Sequence, residues 1–452
     1  MSAVSLLTPI LNGIQNVNFV NGRVLTASDL TAERAANLQR QRLLGTSLGD
    51  GVASGFVVTL SPSSVTSGQQ VVHVTAGVAV NRSGDVLQLV SDTDVTLTAT
   101  LPATVTGTGL FAPCTPPQTQ LTNPGIYILT VMPASGYQGA VPVTQINSGG
   151  VGTSCTSQYT TAGVQFRLVP VTLASTGIGL QTTLYTLANQ IQTQLNSGAT
   201  AASVAPALSQ FRNGLAHVCF GTEALAGFAA NPFAGLPQES SIDTYGLVDD
   251  QRSAGLITNC DVPLAIVYWS QQGIQFVDVW SVRRPLVSTP ASDLWPLFSG
   301  RRRATEGLAM LLQFQDQLAN LPSTLGTAAL GSVSAEDYFY YLPAAGFISV
   351  GNVNPSRGFD YLEFFSSRTY RNPVFVEGVK LQAILRSSFL YGPIDLSKQE
   401  LLWVYQVREN QEAIDDNVSP PPVLYMLFTN GQIDFQGDAR YDLNYFNYAN
   451  YV

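Results

Sequence analysis

Apolar positions recur along the chain at two periods, and the alternation between them outlines its elements. The first clear segment is Phe19-Val20-Asn21-Gly22-Arg23, where Asn-Gly marks a turn. Thr26-Ala27-Ser28-Asp29 follows as a helix start, with Thr26 as cap and an acid at the third helical position. Leu30, Arg34, Leu38 and Leu43 then predict a helix of about 16–18 residues, rich in Ala and Arg, which Gly45 and Gly49 should end. Val52–Leu60, Val71–Val80 and Val86–Val90 alternate apolar and polar residues and predict a small antiparallel β unit, punctuated by Gly77 and the turn Asn81–Asp85.

Further along, Ile126–Met132 and Val164–Leu173 predict strands. Leu180–Leu195 and Ser203–Gly214 have helical period. Val262–Trp269 and Ile274–Val282 flank Gln271-Gln272-Gly273 and predict a hairpin. Leu308, Leu311, Leu312 and Leu318 stripe a helix over Ala304–Leu318, and Ser334–Asp337 starts a shorter one. Ser397-Lys398-Gln399-Glu400 has the form of a capping box, which predicts a helix running into Leu401–Tyr405.

Together these elements predict a β-rich α+β protein. An N-terminal helix and small antiparallel β unit occupy residues 1–100, and a Pro/Thr-rich linker spans 101–122. A central α+β domain follows over 123–298, then a mixed helical and β domain over 299–452. No repeat of fixed period crosses the chain.

Composition changes the picture most through charge. Only 11% of the 452 residues are charged, against about 25% in ordinary soluble domains. Lysine occurs only at Lys380 and Lys398, and from Val95 to Phe211 the only charged side chain is Arg167. A free monomer carries mixed charges that resist association, whereas a chain packed against neighbours does not need them. Compositional bias toward Ser and Thr would give the same surface. A net charge of −9 and the lack of clustered cations beyond Arg301–Arg303 argue against a nucleic-acid partner. No apolar run reaches the roughly 18 residues of a membrane span, so no integral membrane segment is expected. No signal peptide is evident, which predicts assembly in the cytoplasm. There the four cysteines, Cys114, Cys155, Cys219 and Cys260, are expected as buried thiols, with a Cys114–Cys155 bridge as the alternative.

The candidate chemistry is sparse. His73 and His217 are the only histidines, and both lie in apolar or alternating segments that suit a structural role. In a strand, His217 and Cys219 would face one side, but no third group is evident to orient such a pair. Asp249-Asp250, Glu336-Asp337 and Asp415-Asp416 are carboxylate pairs that also fit helix ends. Gly107-Thr108-Gly109 and Gly177-Ile178-Gly179 lack the third glycine of a dinucleotide fingerprint. These observations predict no catalytic residue, cofactor or metal.

Aromatic residues fit binding better. The C-terminal run places Tyr441, Tyr445, Phe446, Tyr448 and Tyr451 among asparagines. It is a candidate interface, able to add an edge strand to a neighbour or to pack on its own domain. Tyr338–Tyr341 with Phe364-Phe365 could form a sugar-binding platform, although core is the expected role.

The segment Asn18–Leu30 (NFVNGRVLTASDL), with Glu33, the helix, Leu44-Gly45 and Gly51–Phe56, resembles an N-terminal signature of accessory proteins from phage tails and phage-tail-like contractile injection systems. Ala53-Ser54 and Phe56 depart mildly from the Gly-Val-Val-Gly-Leu-like strand of that signature. The resemblance covers roughly residues 18–90. It implies a baseplate, fibre or peripheral shell component that is homo-oligomeric, contacts other particle subunits and carries no catalytic residues. A fibre that binds a cell-surface receptor or glycan, and a polysaccharide hydrolase displayed on such a particle, are the alternatives.

Overall fold

The computed structural model describes residues 13–62, 70–97, 124–139, 141–147, 150–224, 246–286, 301–350, 358–369, 373–416 and 425–434. Helix α1 (Ala27–Leu48) is capped by Thr26 and runs several residues past its expected end. Gly45 therefore lies inside the helix, and Gly49 ends it. The β unit comprises β1 (Gly51–Gly55), β2 (Val58–Leu60), β3 (Val71–Val74), β4 (Gly77–Val80), β5 (Val86–Leu89) and β6 (Thr93–Thr96). They form two antiparallel sheets, ordered β1-β4-β5 and β2-β3-β6. The expected strand 52–60 is broken because Gly55 and Phe56 both take positive φ, 61° and 53°. Positive φ is unfavourable for a bulky residue, and here it sends the fully buried Phe56 ring into the core.

The central sheet is antiparallel in the order β10-β7-β11-β12, from β7 (Gly125–Gln138), β10 (Tyr159–Val171), β11 (Val262–Ser270) and β12 (Gly273–Asp278). A separate hairpin pairs β8 (Val141–Asn147) with β9 (Gly150–Thr156). Every residue of β11 is buried, because both faces of this sheet are covered. On one face Ile126, Ile128, Ile266 and Tyr268 pack against α2 (Leu180–Asn196) and α3 (Ala201–Phe220) through Leu184, Ile191, Phe211 and Leu215. On the other, Leu129, Val131, Ala265 and Val267 share a core with Val52, Phe56, Val72 and Leu87 of the β unit. Alternate residues of each strand thus serve two cores. An irregularity between Pro263 and Ala265 brings Leu264 onto the β-unit side as well.

The short helix α4 (Leu247–Ser253) precedes β11. Helix α5 (Arg301–Leu325) then joins the central layer to the C-terminal one. Ala309 and Met310 meet Ala216 and Phe220 of α3, while Phe314, Leu318 and Leu321 enter the C-terminal core. That core lies on one face of a sheet ordered β14-β18-β17-β15, from β14 (Ala345–Ser349), β15 (Val374–Val376), β17 (Leu402–Val407) and β18 (Tyr425–Asn430). β13 (Tyr341–Leu342) and β16 (Ile394–Asp395) form a small bridge beside it. Helices α6 (Ala335–Tyr338) and α7 (Tyr361–Phe365) close that core, and α8 (Gly378–Ser388) covers the other face with Ile384 against Trp403 and Tyr405. Phe364 and Phe365 meet edge to face at 5.0 Å, so the aromatic cluster is core.

One expected helix is a strand. Residues 402–407 form β17 in the middle of the C-terminal sheet, paired with β18 and β15. Alternating large apolar side chains from Leu402 to Tyr405 supply both cores, which the buried environment rewards over helical propensity. The box-like Ser397 instead closes a turn, donating its N–H and hydroxyl to Asp395 at 2.9 and 2.6 Å. The helix comes later, as α9 (Arg408–Asp415).

Buried charges tie the layers together. Arg167 ion-pairs with the fully buried Asp261 at 2.9 Å. Asp261 also accepts bonds from Thr130 and from the backbone N–H and hydroxyl of Thr258. Arg212 on α3 binds Asp278 at the end of β12 at 2.6 Å and Asp316 on α5 at 2.5 Å. Removing the cation from a buried pair strands its partner's charge, at a cost of about 3–5 kcal/mol. Arg212→Met should therefore lower the unfolding midpoint in urea by an amount in that range. A change below about 1 kcal/mol would show that Gln313 and the turn N–H groups at Trp280 and Ser281 satisfy Asp278 without it.

Candidate functional site

The signature segment builds a stiff entry to an exposed helix. Arg23 N–H donates to the Val20 carbonyl at 3.3 Å across the Asn21-Gly22 turn, where Gly22 takes φ 87°. Asp29 then gathers this turn onto the helix start. Its carboxylate accepts from the Thr26 backbone at 3.0 Å and the Thr26 hydroxyl at 2.7 Å, and pairs with Arg23 at 2.5 Å. The Thr26 hydroxyl caps the Asp29 N–H in return, completing a capping box. The bonds from the Thr26 side chain and backbone hold the Asp29 carboxyl below the usual carboxylate range, with the Arg23 charge adding to them.

From this start α1 runs almost entirely exposed. Only Asp29, Ala36 and Gly45 are buried along it. Leu30, Leu43, Leu44 and Leu48 are each more than half exposed, as are Phe19, Val20, Val24 and Leu25 before it. A recess of about 150 Å³ lies among Val17, Phe19, Val20, Arg23 and Leu25. Such an apolar set on a helix otherwise in solvent marks an interaction surface. The far end of α1 is fixed to the β unit. Arg42 binds Asp85 at 2.6 Å, and Gly45 abuts the backbone of Gly84 so closely that a Cβ would collide with its carbonyl. Gly84 has φ 81° and touches the Arg42 carbonyl in the same way. Gly45 thus permits a close approach, a role its sequence position near the helix end did not reveal.

The remaining candidate residues sit in structural surroundings. His217 and Cys219 lie on α3, not on a strand, so residues two apart point to different sides. The His217 ring bonds the Thr222 hydroxyl at 2.9 Å and packs 4.6 Å from the Tyr341 ring. Burial drives its pKa down to about 3 and pushes the Cys219 thiol up. His73 on β3 faces Asp94 on β6 at 2.8 Å and Asp92 at 3.6 Å, and the bond to Asp94 raises its pKa.

Asp249 and Asp250 occupy the first turn of α4, where burial and then the neighbouring Asp249 raise the Asp250 pKa. Glu336 and Asp337 start α6, and Glu336 pairs with Arg368 at 2.6 Å. Gly177 and Gly179 form the turn into α2, with Gly179 as its cap. Cys260 takes part in a disulfide while Cys219 is a free, buried thiol, which corrects the expectation of four reduced cysteines. Cys114 and the aromatic residues Tyr441, Tyr445, Phe446, Tyr448 and Tyr451 lie outside the described residues, as do the linker 101–122 and the Gly107–Gly109 turn, and the Cys155 side chain is likewise not described. Among the described residues, no group of three His, Cys, Asp or Glu side chains is placed to hold a metal, and no helix is long and apolar enough to cross a membrane.

The class these features define is an α+β chain with a stacked core and an exposed, capped N-terminal helix. No protein-family profile matches it, and no curated protein does. Among solved structures, that of TssK aligns at 11% identity and a TM-score of 0.19, covering 35% of each chain. The chain thus spans about a third of that protein's length, and a likeness this shallow carries no argument about fold or role.

Two outcomes follow from the local geometry. Gly45→Ala adds a methyl group where backbone already meets backbone, so α1 should separate from the Gly84 turn. Trypsin cleavage at Arg40 and Arg42 should then accelerate at least several-fold, with the core cleavage pattern unchanged. His217 binds its proton only on unfolding between its ordinary pKa near 6.5 and about 3. Stability should therefore be full above pH 6.5 and fall as pH drops through that window, by up to roughly 4–5 kcal/mol. Urea titrations of the parent and His217→Gln across that range should show the slope reduced in the variant.

Proposed function

We propose that the chain is a non-enzymatic structural subunit of a phage-tail-like contractile particle, assembled in the cytoplasm as a baseplate, fibre or peripheral shell component. The observation that carries this reading is the N-terminal signature helix, rigidly capped, anchored at its far end and exposing leucines along its length. A helix held away from its own core with apolar side chains in water is suited to a partner. The low charge of the chain supports the same reading, since a neutral Ser/Thr/Gln-rich surface packs against repeated neighbours without like-charge repulsion. The buried settings of His217 and Cys219 fit a core role for the one nucleophile-and-base pair that the sequence suggested.

A receptor- or glycan-binding fibre remains the second reading, through the same exposed segment and the aromatic C-terminal run. The test is copurification. The affinity-tagged full chain, expressed with its native gene cluster, should sediment with sheath-and-tube particles visible by negative-stain microscopy. Its absence from such particles, together with binding on a glycan array, would favour the second reading. Turnover of a polysaccharide by the purified chain would overturn both.

A further inference from the structure

We propose that α1 is a self-complementary docking helix that pairs antiparallel with α1 of a second copy of this chain, with Asn37 at the two-fold axis. This deepens the homo-oligomeric part of the reading above by naming the partner and the register.

The argument starts from the helical positions. At 3.6 residues per turn, Leu30, Asn37, Leu44 and Leu48 fall along one stripe of α1. Leu30, Leu44 and Leu48 are 58%, 66% and 62% exposed, and Asn37 between them is exposed too. Arg42 and Gly45, which fix α1 to the β unit, lie on another side of the helix, so docking to the body leaves this stripe open.

Charge then selects the occupant and its direction. Glu33 and Arg40 share one flank of the stripe, a turn before and a turn after Asn37. In an antiparallel pair related by a two-fold axis, each flank meets the same flank of the partner. Centring the axis on Asn37 brings Leu30 opposite Leu44 of the second copy and Glu33 beside its Arg40, twice over. A parallel pair in register would instead set Glu33 against Glu33 and Arg40 against Arg40.

The central asparagine fits the same register. Its amide carries both a donor and an acceptor and can bond its own copy, as a polar residue within an apolar seam does when it fixes alignment. Within one chain Asn37 already accepts from Arg40 at 3.2 Å and donates to Glu33 at 3.3 Å. The acid, amide and base are therefore prearranged in a line across the seam. The Val17 N–H bond to Glu33 at 3.2 Å holds the incoming segment at the edge of this flank.

The experiment is sedimentation equilibrium on the full chain and on charge variants. The parent should be a dimer. Glu33→Arg and Arg40→Glu should each raise the dimer Kd by at least about tenfold, and the double variant Glu33→Arg/Arg40→Glu should restore it, because the swap re-forms the pairs. Circular dichroism on each variant separates loss of pairing from loss of fold. Leu30→Cys mixed with Leu44→Cys should crosslink through a short bismaleimide, whereas Leu30→Cys alone should not.

A monomeric parent, an oligomer indifferent to charge reversal, or efficient Leu30–Leu30 crosslinking would overturn the proposal. A dimer that never enters a particle would sink the particle reading and leave this one standing. A monomer found in particles would do the reverse.

Discussion

The layers of this protein meet at one carboxylate, Asp278. It ends β12, binds Arg212 on α3, accepts from Gln313 on α5 and caps the turn at Trp280 and Ser281. Beyond that turn the Arg284 carbonyl accepts the Val52 N–H, and Arg283 donates to the Gly55 carbonyl, which brings in the β unit. A buried charge is tolerable only with its bonds complete. The position of α5 and the path of residues 279–286 are therefore set by one satisfied site. Burial alone would lower the Arg212 pKa, but Asp278 and Asp316 more than offset this and raise it, so the guanidinium remains a cation.

The same economy explains the unusual charge pattern. In the long neutral stretch from Val95 to Phe211 the one cation, Arg167, is spent inside, against Asp261. Neutral side chains cover the outside of the central layer, as on α2 with its exposed threonines and glutamines. Charge in this chain goes mainly to internal ties and to the rim of α1. That division separates a body fixed by buried ion pairs from an N-terminal helix whose charges face outward.

Local chemistry made much of the fold readable. The Thr26–Asp29 cap, the periodic helices Leu180–Asn196 and Arg301–Leu325, and the β11–β12 hairpin all rest on contacts within a few residues. Reading failed where a distant partner decided the matter. The segment Leu402–Val407 has a box-like start, yet it is a strand because two cores claim its alternate side chains. Leu215–Phe220 reads as an apolar run of either kind, and the packing of α3 against the sheet and α5 makes it helix. Of the candidate surface, the signature and its cap were legible, whereas the exposure of Leu30 and Leu44 was not. An amphipathic pattern does not say whether its apolar side meets the chain's own core or another molecule.

The sequence by itself thus determined the α+β class, the capped helix at the N-terminus and the scarcity of charge, because each depends on residue type and short-range spacing. Only the tertiary structure decided that Gly45 is a contact point, that Arg167 and Arg212 are buried ties and that α1 stands outward. Each of those depends on which backbone or charge, tens to hundreds of residues away, is brought within bonding distance, and pairings of that separation leave no period in the sequence to read.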